Sequence, residues 1–141
     1  FISSRQLNNL SSWKSYEDKQ IKIKFSYPPA YYIKYNNQVS SISKHLYIYS
    51  DKNDEIASIH YYPKLCDEID KKFKIVSINI NGTTWQLALY PKGLDSGDYK
   101  LTTPILYFIT CHNEDKYSLQ FNNRLVLDNI QTRIVNSILL K

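Results

Sequence analysis

The sequence is poor in the residues that punctuate or staple a chain. It has no methionine, three glycines, five prolines and two cysteines in 141 residues. So few glycines and prolines exclude collagen-like and low-complexity architectures. No run of about 18 apolar residues occurs, so no segment reads as a membrane-spanning helix. The recurring motifs of chemistry are missing as well: there is no G-x-S-x-G, Walker loop, G-x-G-x-x-G, H-E-x-x-H, C-x-x-C or EF-hand loop. With neither a methionine nor a visible signal peptide at Phe1, the chain reads as a processed or truncated piece.

What is present is ordinary in bulk and unusual in its rings. Hydrophobic residues make up 43% and charged residues 22%, values that support a packed core rather than disorder. The length suits one domain able to fold without a metal. Thirteen tyrosines stand against five phenylalanines, and rings favour half-buried strands. The net charge of +5 is spread along the chain. Its longest basic cluster, Lys71-Lys72-Phe73-Lys74, closely follows Asp67, Glu68 and Asp70, which reads as a solvated surface rather than a polyanion site.

Residues 1–12 are polar and read as a tether or lead-in, and residues 13–141 as one α+β domain. Ile21, Ile23 and Phe25 alternate with Lys22, Lys24 and Ser26, the period of a strand wet on one face. Pro28-Pro29 ends it. Short strands follow at Tyr31–Tyr35 and around Leu46 and Ile48. The polar stretch from Ser50 to Asp54 then turns the chain into Ile56–Tyr62. Asn81-Gly82 between Val76-x-Ile78-x-Ile80 and Trp85-x-Leu87-x-Leu89 predicts a tight hairpin, because Asn-Gly tolerates the positive φ of a type I′ turn. A further hairpin runs from Leu101 to Thr110, turns at His112–Asp115 and returns through Phe121. Asp128, with Gln131 three residues on, predicts a capped helix. Its stripe of Leu127, Ile130, Ile134, Val135, Ile138 and Leu139 has to be covered, most simply by a sheet.

No set of residues assembles a catalytic, metal or cofactor site. Cys111 precedes His112, but neighbours on a strand point to opposite faces, so they form no dyad. Cys66 and Cys111 are compatible with one disulfide or with two buried thiols. His45, His60 and His112 are expected at hairpin ends, and the paired acids at turns, where solvation suffices. Asn81-Gly82-Thr83 also matches a glycosylation acceptor, but the turn already accounts for it. Tyr31, Tyr32, Tyr61, Tyr62 and His112 form a candidate interaction surface, since amphipathic rings suit interfaces. Tyrosines near Lys34, Lys44 and Lys64 also allow single-stranded nucleic acid binding. This reading is not favoured, because half the rings should face the core.

Trp13-Lys14-Ser15-Tyr16, the alternating Ile21 to Tyr27 ending at Pro28, and the pair Tyr31-Tyr32 resemble the opening of PsbP/Mog1-like domains. Tyr117–Phe121 and the helix from Asp128 resemble their close. The resemblance implies a central antiparallel sheet with the C-terminal helix packed on one face, in an α/β/α sandwich. It further implies an accessory or binding role, since the group includes extrinsic photosystem II subunits, a nuclear Ran-binding protein and exported bacterial lipoproteins. No catalytic residue carries over. The expectation is a non-enzymatic exported module, periplasmic, cell-surface or secreted. It would use no cofactor, have an unidentified protein partner, and be held by a membrane tether upstream of Phe1. The competing expectation is a ligand-binding protein or enzyme with a pocket between the sheet and the loops 64–72 and 91–98.

Overall fold

A computed structural model describes residues 12–36, 43–66, 74–90, 105–122 and 126–141. Strands β1 (Lys14–Asp18) and β2 (Ile23–Tyr27) form a hairpin, and β3 (Tyr32–Asn36), β4 (Lys44–Tyr49) and β5 (Glu55–Tyr62) follow. Then come β6 (Lys74–Ile80), β7 (Thr83–Tyr90), β8 (Ile105–His112) and β9 (Asp115–Asn122), and finally helix α1 (Asn129–Asn136) and the short β10 (Leu139–Leu140). The described strands make two sheets rather than one. A large sheet has the order β3-β4-β5-β9-β8-β7-β6, and a small one the order β1-β2-β10. Every pairing is antiparallel.

Alternation along the strands divides the large sheet into two faces. Leu46, Ile48, Ile59, Trp85, Phe108, Leu119 and Phe121 line one face and are buried. They join Ile21, Ile23 and Phe25 of the small sheet and Ile134, Val135 and Ile138 from the C-terminal segment in one core. Tyr117 ties the layers together, its hydroxyl donating to the carbonyl of Ile21.

The helix begins where the sequence predicts. Asp128 accepts from the Gln131 amide at 2.8 Å, and the Gln131 side chain accepts from the Asp128 amide at 3.1 Å, completing a capping box. Gln131 also donates to the Ile56 carbonyl at 3.1 Å, which pins the first turn to β5. The apolar stripe runs past the helix, however. Residue 137 caps the end, and Leu139–Leu140 pair with β2 opposite Lys24 and Ile23. Ile138 and Leu140 are buried while Leu139 is 39% exposed. That is the period of a strand, and it reaches the same core from an edge.

Both tight hairpins use two-residue turns with positive φ. Asn81 and Gly82 have φ of 49° and 86°, the type I′ geometry that Asn-Gly favours. At the other turn His112 pairs with Asp115, so the connection is Asn113-Glu114, with φ of 52° and 71°. This loop is shorter than the four residues expected, and Glu114 occupies a region that costs a side chain about 1–2 kcal/mol. Glu114→Gly removes that cost and adds unfolded-state entropy of about 0.5–1 kcal/mol. A net gain of roughly 0.5–1 kcal/mol in urea unfolding is expected; a loss would show that the turn holds Glu114 without strain.

Candidate site: a ring-lined sheet face

The second face of the large sheet carries rings where the first carries aliphatic side chains. Pairing of β3 with β4 sets Tyr32 against Tyr49, and their rings stack 5.3 Å apart at 14°. Lys34 lies 5.6 Å and 5.5 Å from those two rings, within cation–π range. Tyr47 continues the strip, 6.5 Å from Tyr49. The turn at Ser50–Asp54, held by Ser50 Oγ accepting from the amides of Lys52 and Asp54, sets the β4–β5 register. A register shift between Ile48 and Tyr49 then places His45 opposite His60, and their rings stack at 3.9 Å and 10°. Tyr62 closes the strip beside His60 at 6.3 Å, with the Lys116 ammonium 4.9 Å from its ring.

Both imidazoles are held neutral. Burial pushes His60 down to about 3, and the neighbouring His45 pushes it the same way. Burial also lowers His45. The Gln120 amide nitrogen lies 3.0 Å from His60 Nδ1, and the Tyr62 hydroxyl 3.3 Å. Both are donors there, which places the His60 proton on Nε2. Tyr47 Oη lies 3.5 Å from His45 Nδ1, and His45 Nε2 is buried with no hydrogen-bond partner among the described residues. The strip thus offers polarisable ring faces and neutral hydrogen-bonding groups between two lysines. Among the described residues no cluster of three or more His, Cys, Asp or Glu could hold a metal.

The residues singled out by sequence are divided between the two faces. Tyr32 and Tyr62 lie on the ring-lined face. Tyr31 and Tyr61 pack against the core instead, because adjacent strand residues cannot share a face. Tyr61 contacts Tyr117 at 5.2 Å, and its hydroxyl donates to Asp115 at 2.9 Å; burial, then Asp115, raise it to about 12. His112 sits at the β8–β9 turn, away from the strip. His45 and His60 lie within paired strands rather than at hairpin ends. With Tyr47, Tyr49 and Gln120 they are the members that the candidate surface read from sequence left out. No local signal showed this pair: a regular hairpin about the Ser50–Asp54 turn would set His45 opposite Ile59, and the register shift between Ile48 and Tyr49 brings His60 there instead.

Cys66 and Cys111 are joined in a disulfide, with Cα atoms 5.5 Å apart, a separation normal for such a bond. The bond ties the segment after β5 to the end of β8. Loop 91–98 and residues 67–72 lie outside the described residues, as do residues 1–11 of the lead-in.

No family model matches the sequence, and no curated protein matches it. Solved structures do. A crystal structure from Bacteroides thetaiotaomicron VPI-5482 aligns with 92% of this chain at TM-score 0.58 and 10% identity. This chain spans about half, 49%, of that protein. The solution structure of cyanobacterial PsbP (CyanoP) from Synechocystis sp. PCC 6803 aligns over 100% of this chain and 98% of its own length, at TM-score 0.59 and 10% identity. With its antiparallel strands and closing C-terminal helix matched end to end, this chain has the PsbP-type fold.

Proposed function

We propose that the chain is a non-enzymatic accessory module that acts outside the cytoplasm and presents its ring-lined sheet face to a protein partner. The observation that carries this reading is the strip from Tyr32 through Tyr49, Tyr47, His45 and His60 to Tyr62. Tyrosine supplies large, stiff contact area with a polar tip, the type of side chain enriched at protein interfaces. The imidazoles are ill suited to proton transfer near neutral pH: His60 is held near 3, and its Nδ1 is already engaged by Gln120 and Tyr62. General catalysis favours a group whose pKa lies near the working pH. The Cys66–Cys111 bond supports an oxidising compartment, where disulfides persist. The shared fold with cyanobacterial PsbP adds analogy, since one fold hosts many roles.

Site-specific photo-crosslinking in the native host tests the surface. A photoreactive residue at position 47 is expected to yield one discrete protein adduct, and one at Val126, which is 80% exposed, none. Equal labelling from both positions, or no adduct from position 47, defeats the reading. Mass spectrometry of the native protein tests the compartment: free thiols at both cysteines would remove the case for export.

A further inference from the structure

The hairpin turn at Asn81-Gly82 also holds down the end of the chain. Asn81 Nδ2 donates to the carbonyl of Asn136 at 2.9 Å and to that of Ile138 at 2.8 Å. Those carbonyls flank the C-terminal end of α1, where the helix leaves acceptors without intrahelical partners. One side-chain amide therefore joins the β6–β7 hairpin to the segment that runs from α1 into β10. Neither hydrogen of that amide is spare.

Asn-Gly is also the dipeptide whose side chain is most open to attack by the following backbone nitrogen, because glycine has no Cβ to obstruct it. Here the would-be nucleophile is engaged: the Gly82 amide donates to Asn79 Oδ1 at 3.1 Å. The electrophilic carbon belongs to the amide held by Asn136 and Ile138. Both reacting groups are thus held in hydrogen bonds.

We propose that Asn81 is a deamidation site gated by this clamp, and that its conversion loosens the C-terminal segment. The Gly82 nitrogen loses its proton and bonds to Asn81 Cγ. The Cγ–Nδ2 bond breaks and ammonia leaves, giving a cyclic imide. Water then opens the ring to aspartate or isoaspartate. No oxidant or reductant enters. The product replaces two donated hydrogens with a carboxylate facing two carbonyl oxygens, at a helix end that already carries partial negative charge. The segment then loses its tie to the hairpin. It keeps the pairing of Leu139 and Leu140 with β2, the bond from the Lys141 amide to the Lys22 carbonyl, the bond from the Ser26 amide to Ser137 Oγ, the Gln131 tie to Ile56, and Ile134, Val135, Ile138 and Leu140 buried in the core, so the segment stays docked but opens more readily. The inference does not depend on what the ring-lined face binds.

The test incubates the full chain at mildly alkaline pH beside a peptide spanning 77–87, and follows conversion at Asn81 by peptide mass mapping. Because three hydrogen bonds must open first, the folded chain is expected to react about tenfold more slowly than the peptide, or slower still. Equal rates would overturn the gating. Hydrogen exchange on the converted protein is the second readout. Amides of 129–141 should exchange about tenfold faster, while those of β4 and β5 stay as they were. The variant Asn81→Asp, which keeps a turn-compatible residue, should show the same pattern without any incubation. Unchanged exchange over 129–141 in both proteins would overturn the loosening.

Discussion

Replacing Lys44 with methionine is expected to lower stability by about 3 kcal/mol, because it leaves a buried carboxylate without its cation. Lys44 Nζ lies 2.5 Å from Asp18, with side chains 10% and 5% exposed. Asp18 Oδ1 accepts from the amides of Gln20 and Ile21 at 2.9 Å and 3.2 Å, and Oδ2 also accepts from the Tyr16 hydroxyl. Lys44 in turn sits 4.4 Å from the Tyr35 ring. This cluster bridges the small sheet and the large one, so the loss acts on the joint between them. A double variant, Asp18→Asn with Lys44→Met, removes both charges and is expected to recover much of the loss. Urea unfolding of the three proteins decides the point. A Lys44→Met protein within about 0.5 kcal/mol of the parent would mean that the pair is solvated like a surface bridge.

The pair also has a pH signature. Burial raises the Asp18 carboxyl, but the Lys44 ammonium and the backbone amides of Ile21 and Gln20 outweigh it, and the net shift is downward. A depressed carboxyl contributes stability above its unfolded value, near pH 4, and that contribution is lost as pH falls through the lower folded value.

Acid should act sooner through the stacked imidazoles, and this is the second large effect. In the unfolded chain His60 takes a proton near pH 6.5; in the fold it resists until about pH 3, because burial and then His45 oppose its charge. Between those values the unfolded state binds more protons, so stability falls as pH drops. The slope approaches 1.4 kcal/mol per pH unit for one such group, or about 3 kcal/mol by pH 4. His45, lowered by burial, adds in the same direction. Glu55, raised by burial, opposes, because the folded state holds its proton more tightly. Stability measured from pH 7 to 4 should therefore decline well before Asp18 titrates, and His60→Gln should flatten the decline. An equally steep decline in that variant would assign the acid sensitivity elsewhere.

Local pattern and local chemistry were enough for much of the fold. Alternation marked most of the strands, and Asn81-Gly82 marked its own turn. Asp128 and Gln131 marked the first turn of the helix, since a capping box involves only residues three apart. The close of the helix was not legible. Ile134, Ile138 and Leu139 continue a helical stripe, yet an open edge on β2 pairs Leu139 and Leu140 into a strand instead.

The ring-lined face was legible only in fragments. Tyr32 and Tyr62 came out of composition together with Tyr31 and Tyr61, but a roll of tyrosines does not say which face each joins. The same limit hid Lys44, which reads as a solvent lysine and lies buried against Asp18, 26 residues away. Asn81 shows it again: nothing near the turn points to carbonyls at positions 136 and 138.

Sequence alone determined that this chain makes antiparallel strands with a capped helix near its end, because alternation, tight turns and caps act over a few residues. Tertiary structure alone decided that the described strands form two sheets, that a lysine and an aspartate share the joint between them, and that two histidines stack on the large sheet's second face. Those outcomes depend on register and on which edge stays open, and both are settled by burying the whole core at once.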